Sequence, residues 1–278
     1  RPGQTVYVSG IAYRQQQDDT QVLADPKMAT ECGADQTKGV IEVGPGFGVL
    51  TRELAARANK VVAIELDKRL PAVLAETLRD FDNVKVVQAD VMEVDLHQLI
   101  QDEFSGLDVL VCANLPYYIT SPVIMKLLEE KLPVESLTVM VQKEAAVRIC
   151  AAPGTRACGA VSVAVQYYSQ PQILFDVPRD CFFPAPNVDS AVIRLNIRKE
   201  PPVKLETEEK QFFKLVKAAF GQRRKTVLNS LNTGLGKSKE ELSAALQQAG
   251  IAPTARAEQL TMEQFGTLCN LLFPNKTK

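Results

Sequence analysis

The segment Val40-Ile41-Glu42-Val43-Gly44-Pro45-Gly46-Phe47-Gly48 runs a short apolar stretch into three closely spaced glycines. The apolar run reads as a buried strand, and the pattern after it, over 49–58, reads as a helix. Glycines at such a turn let the backbone bend sharply and approach a ligand where a Cβ would collide. The dinucleotide fingerprint is G-x-G-x-x-G, and here the third glycine, Gly48, comes one residue early. That spacing, with Glu42 just before the loop, suits a methyl-donor site better than a nicotinamide site. A glycine-rich turn can also be purely structural, so the loop does not decide the matter alone.

The same alternation continues along the chain. Short β-rich runs at 40–43, 61–65, 84–88, 109–113 and 137–141 alternate with helical patterns at 49–58, 68–80, 95–104, 121–131 and 143–151. Strands apolar on both faces and separated by helices predict a parallel sheet covered on both sides. Two further runs, 173–177 and 191–197, flank the corner Phe183-Pro184-Ala185-Pro186 without a crossover helix. They are expected to pair as an antiparallel edge. Beyond Glu200-Pro201-Pro202 the pattern turns wholly helical, with capping boxes expected at Ser238/Glu241 and Thr261/Gln264. The expected organisation is an irregular arm over 1–38, a Rossmann-like α/β domain over 39–200, and a small all-helical domain over 203–278.

Position strengthens the reading of the loop. Glu65 ends the second strand, where a carboxylate can accept both ribose hydroxyls of an adenosine. Asp90, followed by Val91, comes after the third strand, where a carboxylate can accept from an adenine amino group. In open α/β sheets ligands bind beyond the carboxyl ends of the strands. Any one of these acids alone reads as a solvated loop end. Three of them at successive strand ends make Glu42, Gly44, Gly46, Gly48, Glu65, Asp90 and Val91 candidates for holding a cofactor.

After the fourth strand comes Asn114-Leu115-Pro116-Tyr117-Tyr118. An exocyclic amine on a base is a poor nucleophile because its lone pair is delocalised into the ring. Accepting its N–H bonds with the Asn114 side-chain oxygen and the Pro116 carbonyl would favour a pyramidal nitrogen aimed at an electrophile. Tyr117 can stack on an extruded base, a contact worth roughly 1–3 kcal/mol. Orientation is the main task of such a loop, since a misplacement of about 1 Å can cost ~10²-fold. The alternative is a proline-stiffened turn around a buried aromatic.

With these residues in view, the chain resembles the rRNA adenine N6-dimethyltransferase family over most of its length, from about Gly39 to Phe273. The segments that carry the likeness are 41–51, 61–67, 114–118, Val141-Gln142-Lys143-Glu144, 182–190 and Ala219-Phe220-Gly221-Gln222-Arg223-Arg224-Lys225. The resemblance implies that the α/β domain is a Rossmann-like class I methyltransferase sheet, with S-adenosylmethionine as methyl donor. It also implies dimethylation of two adjacent adenosines in a hairpin near the 3′ end of small-subunit (16S) rRNA. It assigns donor binding to Gly44, Glu65, Asp90 and Asn114. Asn114, Leu115, Pro116 and Tyr117 would form the catalytic loop, with Phe182 on the opposite face of the target base. The implied setting is a cytoplasmic monomer that meets the immature 30S subunit, with no metal and no membrane. One segment departs from the family, which usually carries Gln-Asn-Phe-Leu upstream of the first strand. This chain has Gln21-Val22-Leu23-Ala24-Asp25-Pro26 there, and no site residue is assigned in it.

Charge adds a polarity that the whole-chain balance hides. Lys plus Arg number 32 against 33 Asp plus Glu, which by itself argues against a nucleic-acid partner. Residues 194–226, however, hold ten cations and four carboxylates, a net +6 against −7 for the rest. Lys210, Lys214 and Lys217 share a helical face, and Arg223, Arg224 and Lys225 are expected at the start of the next helix. Such a stripe is often just a solvated face. Here a phosphate-binding surface is the better reading, with Lys217, Arg223, Arg224 and Lys225 as its contacts. The six cysteines form no C-x-x-C pair and read as reduced thiols. The single histidine, His97, disfavours triad and multi-histidine metal chemistry. No run reaches the ~18 apolar residues of a membrane span, and the N-terminus lacks the layout of a signal peptide. Two other readings remain: a large-subunit rRNA adenine methyltransferase of the antibiotic-resistance type, and a ribosome-assembly factor that kept the fold without catalysis.

Overall fold

The β-branched runs form a sheet and the amphipathic stretches between them form helices that pack with it, because neither can bury its apolar face alone. A computed structural model describes residues 24–182, 185–222 and 224–274. Outside them lie 1–23, with the polar Gln15–Asp19 run and Gln21-Val22-Leu23, together with Phe183, Pro184, Arg223 and 275–278. Over the described residues the chain forms two compact units. The first runs to Ala146 and resumes over Gln172–Ile197; the second comprises Val147–Pro171 and the chain from Arg198 onward.

The sheet has seven strands: β1 (Lys38–Val43), β2 (Lys60–Glu65), β3 (Val84–Gln88), β4 (Asp108–Asn114), β5 (Ser136–Gln142), β6 (Ser169–Val177) and β7 (Ser190–Ile197). Their order is β3-β2-β1-β4-β5-β7-β6. The first five strands are parallel; β1, β2, β4 and β5 are buried on both faces, and β3 at the edge is not. The two late runs, β6 and β7, are neighbours at the margin of the sheet, as expected. β7 inserts antiparallel against β5, from Ser136↔Asn196 to Gln142↔Ser190, and β6 lies beside it at the margin. Helices α1 (Ala24–Glu31), α2 (Val49–Ala55), α3 (Leu70–Thr77), α4 (Leu96–Glu103), α5 (Thr120–Glu129) and α6 (Lys143–Ile149) accompany these strands.

The arm expected over 1–38 is not irregular where it is described. Ala24–Glu31 is helical, with Pro26 in the first turn, where its missing N–H costs nothing. Met28, Ala29 and Cys32 are buried against Leu50, Leu54 and Ala58 and against Val40, Cys112, Met140 and Val192 of the sheet. Arg194 of β7 holds the far end of this helix by donating to the Glu31 carbonyl.

In the second unit α7 (Ala160–Tyr168) packs with α8 (Glu209–Ala219), α9 (Val227–Leu235), α10 (Lys239–Gln248) and α11 (Met262–Leu272). The boundary drawn at 200–203 therefore moves. Tyr167 lies 5.0 Å from Phe212, Tyr168 lies 5.2 Å from Phe213, and both hydroxyls donate to Glu209. Arg198 Nε donates to the carbonyls of Gln166 and Ser169, both at 3.0 Å. These contacts group residues 147–171 with the C-terminal helices. Thr261 and Gln264 close a full capping box at α11. Ser238 accepts from the Glu241 N–H at α10, but the Glu241 carboxylate turns to Lys237.

Candidate active site

The order of the sheet reverses at β1, from which β2 and β3 run one way and β4 onward the other. Such a switch point opens a crevice beyond the strand ends. Pairing of Val43 with Ala113 and with Ile64 sets the ends of β1, β4 and β2 level. The loop after β1 thus starts beside Asn114 and Glu65.

Gly44, Gly46 and Gly48 take φ of 71°, 58° and 82°, the left-handed region that L side chains avoid. At Gly48 a Cβ would also come within 3.0 Å of Leu74 and 3.2 Å of Thr77, so the glycine is needed for space as well. The loop is tied to its neighbours through the backbone: Gly44 N–H donates to the Ile64 carbonyl at 3.0 Å, and Gly48 N–H to the Pro45 carbonyl at 2.9 Å.

Glu65 is 6% exposed. One carboxyl oxygen accepts from Asp67 N–H at 2.7 Å, the other from Gly46 N–H at 3.3 Å. An ionised carboxyl offers about four acceptor positions, so capacity remains for a pair of ligand hydroxyls. Asp90 Oδ1 accepts from Met92 N–H at 2.8 Å. Its Oδ2 and the Val91 N–H have no partner among the described residues, which leaves an acceptor and a donor side by side. A donor-acceptor edge of this kind matches an aminated heterocycle. Together with Glu65 it fits a nucleoside.

Glu42 differs. It is 1% exposed, and Oε2 has no hydrogen-bond partner. Burial, opposed by the Thr51 hydroxyl and reinforced by the nearby Asp25 and Glu65 carboxyls, pushes its pKa up to about 8. Asp25 on α1 is equally enclosed, and neither of its carboxyl oxygens has a partner. Burial and then Glu53 raise its pKa to about 6. The sequence placed Glu42 with the loop; the structure seats it in the seam under α1, beside a second acid that was not anticipated.

On the other side of the crevice, Asn114 closes β4, and its side-chain amide has no partner among the described residues. Leu115 is buried, and its side chain lies 3.9 Å from where a Cβ on Gly44 would be. The Pro116 carbonyl has a different occupation from the one expected. It accepts from Ile119 N–H and from the Thr120 hydroxyl, each at 3.1 Å. Both lone pairs are used to lock the turn into α5. Asn114 is left as the loop's free acceptor. The half-buried Tyr117 is tethered by its hydroxyl to Ser190 Oγ at 2.7 Å, at the start of β7. Thr120 and Ser190 were not singled out from sequence; Ser190 was visible only as the last residue of a matching segment. Phe182 follows a 3-10 turn and packs, partly buried, at the edge of the core that holds Cys112 and Met140. The described rings show no contact between Phe182 and Tyr117.

In the second unit Lys217 is exposed on α8, and Arg224 and Lys225 are exposed in the turn before Thr226, the cap of α9. They precede the helix instead of opening it, because Thr226 accepts from Asn229 N–H and begins the helix there. Arg223 is outside the described residues. His97 is exposed on α4, its Nε2 2.8 Å from the Glu130 carbonyl. The six cysteines are free, four of them buried. Among the described residues no group of three or more His, Cys, Asp or Glu is placed to hold a metal ion. No described helix is long and apolar enough to cross a membrane.

The family model described as "Ribosomal RNA adenine dimethylase" matches residues 19–273. The chain is 50% identical over 260 residues to the "Ribosomal RNA small subunit methyltransferase A" of Geobacillus thermodenitrificans (strain NG80-2), covering 92% of this chain and 88% of that one. Among solved structures, a dimethyladenosine transferase from Plasmodium falciparum shares the fold at a TM-score of 0.71 and 24% identity, over 88% of this chain and 93% of that one. The 23S rRNA methyltransferase ErmE aligns at a TM-score of 0.65 and 28% identity, over 89% and 96% of the respective chains.

Proposed function

The chain belongs to the ribosomal RNA adenine dimethylase family, and we propose that it transfers methyl groups from S-adenosylmethionine to the N6 atoms of two adjacent adenosines near the 3′ end of small-subunit rRNA. The observation that carries the reading is the meeting, at the switch point, of a nucleoside-binding edge with an amide that lacks a partner. The Val43↔Ala113 pairing puts the glycine loop and Asn114 at neighbouring strand ends.

In this reading Glu65 accepts the ribose hydroxyls, and Asp90 with Val91 N–H reads the adenine edge. The glycine loop follows the methionine part of the donor. When bound, the donor supplies an electrophilic methyl on a sulfonium sulfur. Asn114 Oδ1 accepts an N–H of the target amine and turns its lone pair out of conjugation, toward that methyl. The alkylated nitrogen is cationic and sheds its proton to solvent, so no strong base is required. Tyr117, held by Ser190, stacks on the extruded base, and Phe182 bounds the slot. Lys217, Arg223, Arg224 and Lys225 grip phosphates. The partner is rRNA in an immature 30S subunit, met by a monomer in the cytoplasm, with no metal in the reaction.

The test is labelled methyl transfer to unmethylated small subunits, with mapping of the modified nucleotides. N6,N6-dimethyladenosine at two adjacent positions is expected. A large-subunit product would move the chain to the type of enzyme that ErmE is named for. Tight RNA binding without any product would leave an assembly factor.

A further inference from the structure

Two consecutive tyrosines follow Pro116, and the structure treats them oppositely. Tyr117 is half-buried and bonded to Ser190. Tyr118 is 83% exposed, the most exposed of the large apolar side chains among the described residues. It has no hydrogen bond and no ring contact within them. Its backbone is nevertheless fixed, because the Pro116 carbonyl accepts from Ile119 N–H and from Thr120, the residues on its far side. The ring therefore stands in water on a stiff turn, one residue from the ring assigned to the target base. Val188, 44% exposed, lies two residues before Ser190 and so on the second loop that the Tyr117 hydroxyl joins. An aromatic side chain presented to solvent from a fixed backbone turn is a platform whose stacking partner has a π-face.

We propose that Tyr118 is a positioning residue for the RNA, stacking on the base next to the target adenosine while Tyr117 takes the target itself. The inference rests on the dimethylation reading and sharpens it: two neighbouring adenosines would occupy two neighbouring rings. After the first nucleotide is modified, a shift by one base would present the second to Asn114 without release of the strand. Tyr118 touches neither the donor nor the reacting nitrogen.

The test uses the full chain with Tyr118→Ala and Tyr118→Phe. Substrates are small subunits for kinetics and a hairpin with 2-aminopurine beside the target for spectroscopy. Tyr118→Ala is expected to raise the KM for RNA and the hairpin Kd by about tenfold or more, the range of one base–aromatic stack. Affinity for S-adenosylmethionine stays within about twofold. The ratio of singly to doubly modified substrate rises, and the change in 2-aminopurine emission on binding is lost. Tyr118→Phe keeps the ring and restores all four readouts. An alanine variant with the wild-type KM, product ratio and emission change overturns the proposal. So does one that loses donor binding or melts early, since that assigns the ring a structural task. If the wild-type chain itself makes no methylated product, the reading of the function fails. The hairpin Kd and emission still decide the stacking proposal in that case.

Discussion

Two glutamates at the ends of adjacent strands, Glu42 on β1 and Glu65 on β2, are both almost wholly enclosed, at 1% and 6% exposure. The rim of the crevice provides for Glu65, giving each carboxyl oxygen a backbone N–H. The seam under α1 provides no donor for Glu42 Oε2, and none for either oxygen of Asp25. Burying a carboxyl without donors disfavours its charged form, so Glu42, with a pKa pushed up to about 8, is mostly neutral at pH 7. Acidic residues at strand ends look alike in sequence. Their use depends on which backbone N–H groups the neighbouring loops bring to them.

The largest expected effect breaks this comparison from the seam side. The native state holds the Glu42 proton more tightly than the unfolded chain does, between the ordinary value of 4.5 and about 8. Native protein thus binds more protons than unfolded chain in that window, and stability falls as pH rises through it. Asp25 adds a smaller fall between 3.8 and about 6. The combined loss from pH 5 to pH 8 is on the order of 4 kcal/mol. Urea midpoints measured across that range should drop for the wild type, and Glu42→Gln should remove most of the slope. A flat wild-type profile would show that the seam admits water or a donor.

The rim is tested by its two sides. Asn114→Ala should lower kcat by about 10²-fold or more, since orientation is the main contribution of that amide, while RNA binding is kept. Full activity would leave Asn114 no part in the reaction. Glu65→Gln should weaken donor binding by about 10- to 100-fold, the worth of hydrogen bonds to a charged acceptor, with RNA affinity unchanged. Calorimetric titration with S-adenosylhomocysteine reads this without turnover.

How much of this was legible in sequence follows from the range of the forces involved. The seven strands were readable because each carries its own apolar run, and the three glycines because their left-handed φ is a local demand. α1 was missed because its signal is only Met28, Ala29 and Cys32 in a short stretch that becomes helical by packing on the sheet. α7 was missed because Ala160-Val161-Ser162-Val163-Ala164-Val165 favours β structure locally, and only Phe212 and Phe213, more than forty residues on, make a helix the better burial. The site was half legible in the same sense. Residue types at strand ends named Glu65, Asp90 and Asn114. The bond from Tyr117 to Ser190 crosses 73 residues, and the occupation of the Pro116 carbonyl depends on how the next helix starts. Neither leaves a mark in residue spacing.

The smallest expected effect concerns that tether. Ser190→Ala removes one neutral hydrogen bond from Tyr117, worth about 1 kcal/mol net, and frees the ring to turn about its χ angles. A ring that must be ordered on each binding event should cost about fivefold in kcat/KM for RNA. Donor affinity should not change, because Ser190 is on β7, away from the ends of β1, β2 and β3. Tyr117→Phe deletes the same bond from the other partner and should lose a similar factor. The decisive measurement is the double variant. If the hydroxyl pair acts as one unit, the two losses will not add, and the double variant will match either single one. Additive losses would mean that the Tyr117 hydroxyl has a second task, and that the 2.7 Å contact is incidental to placing the ring.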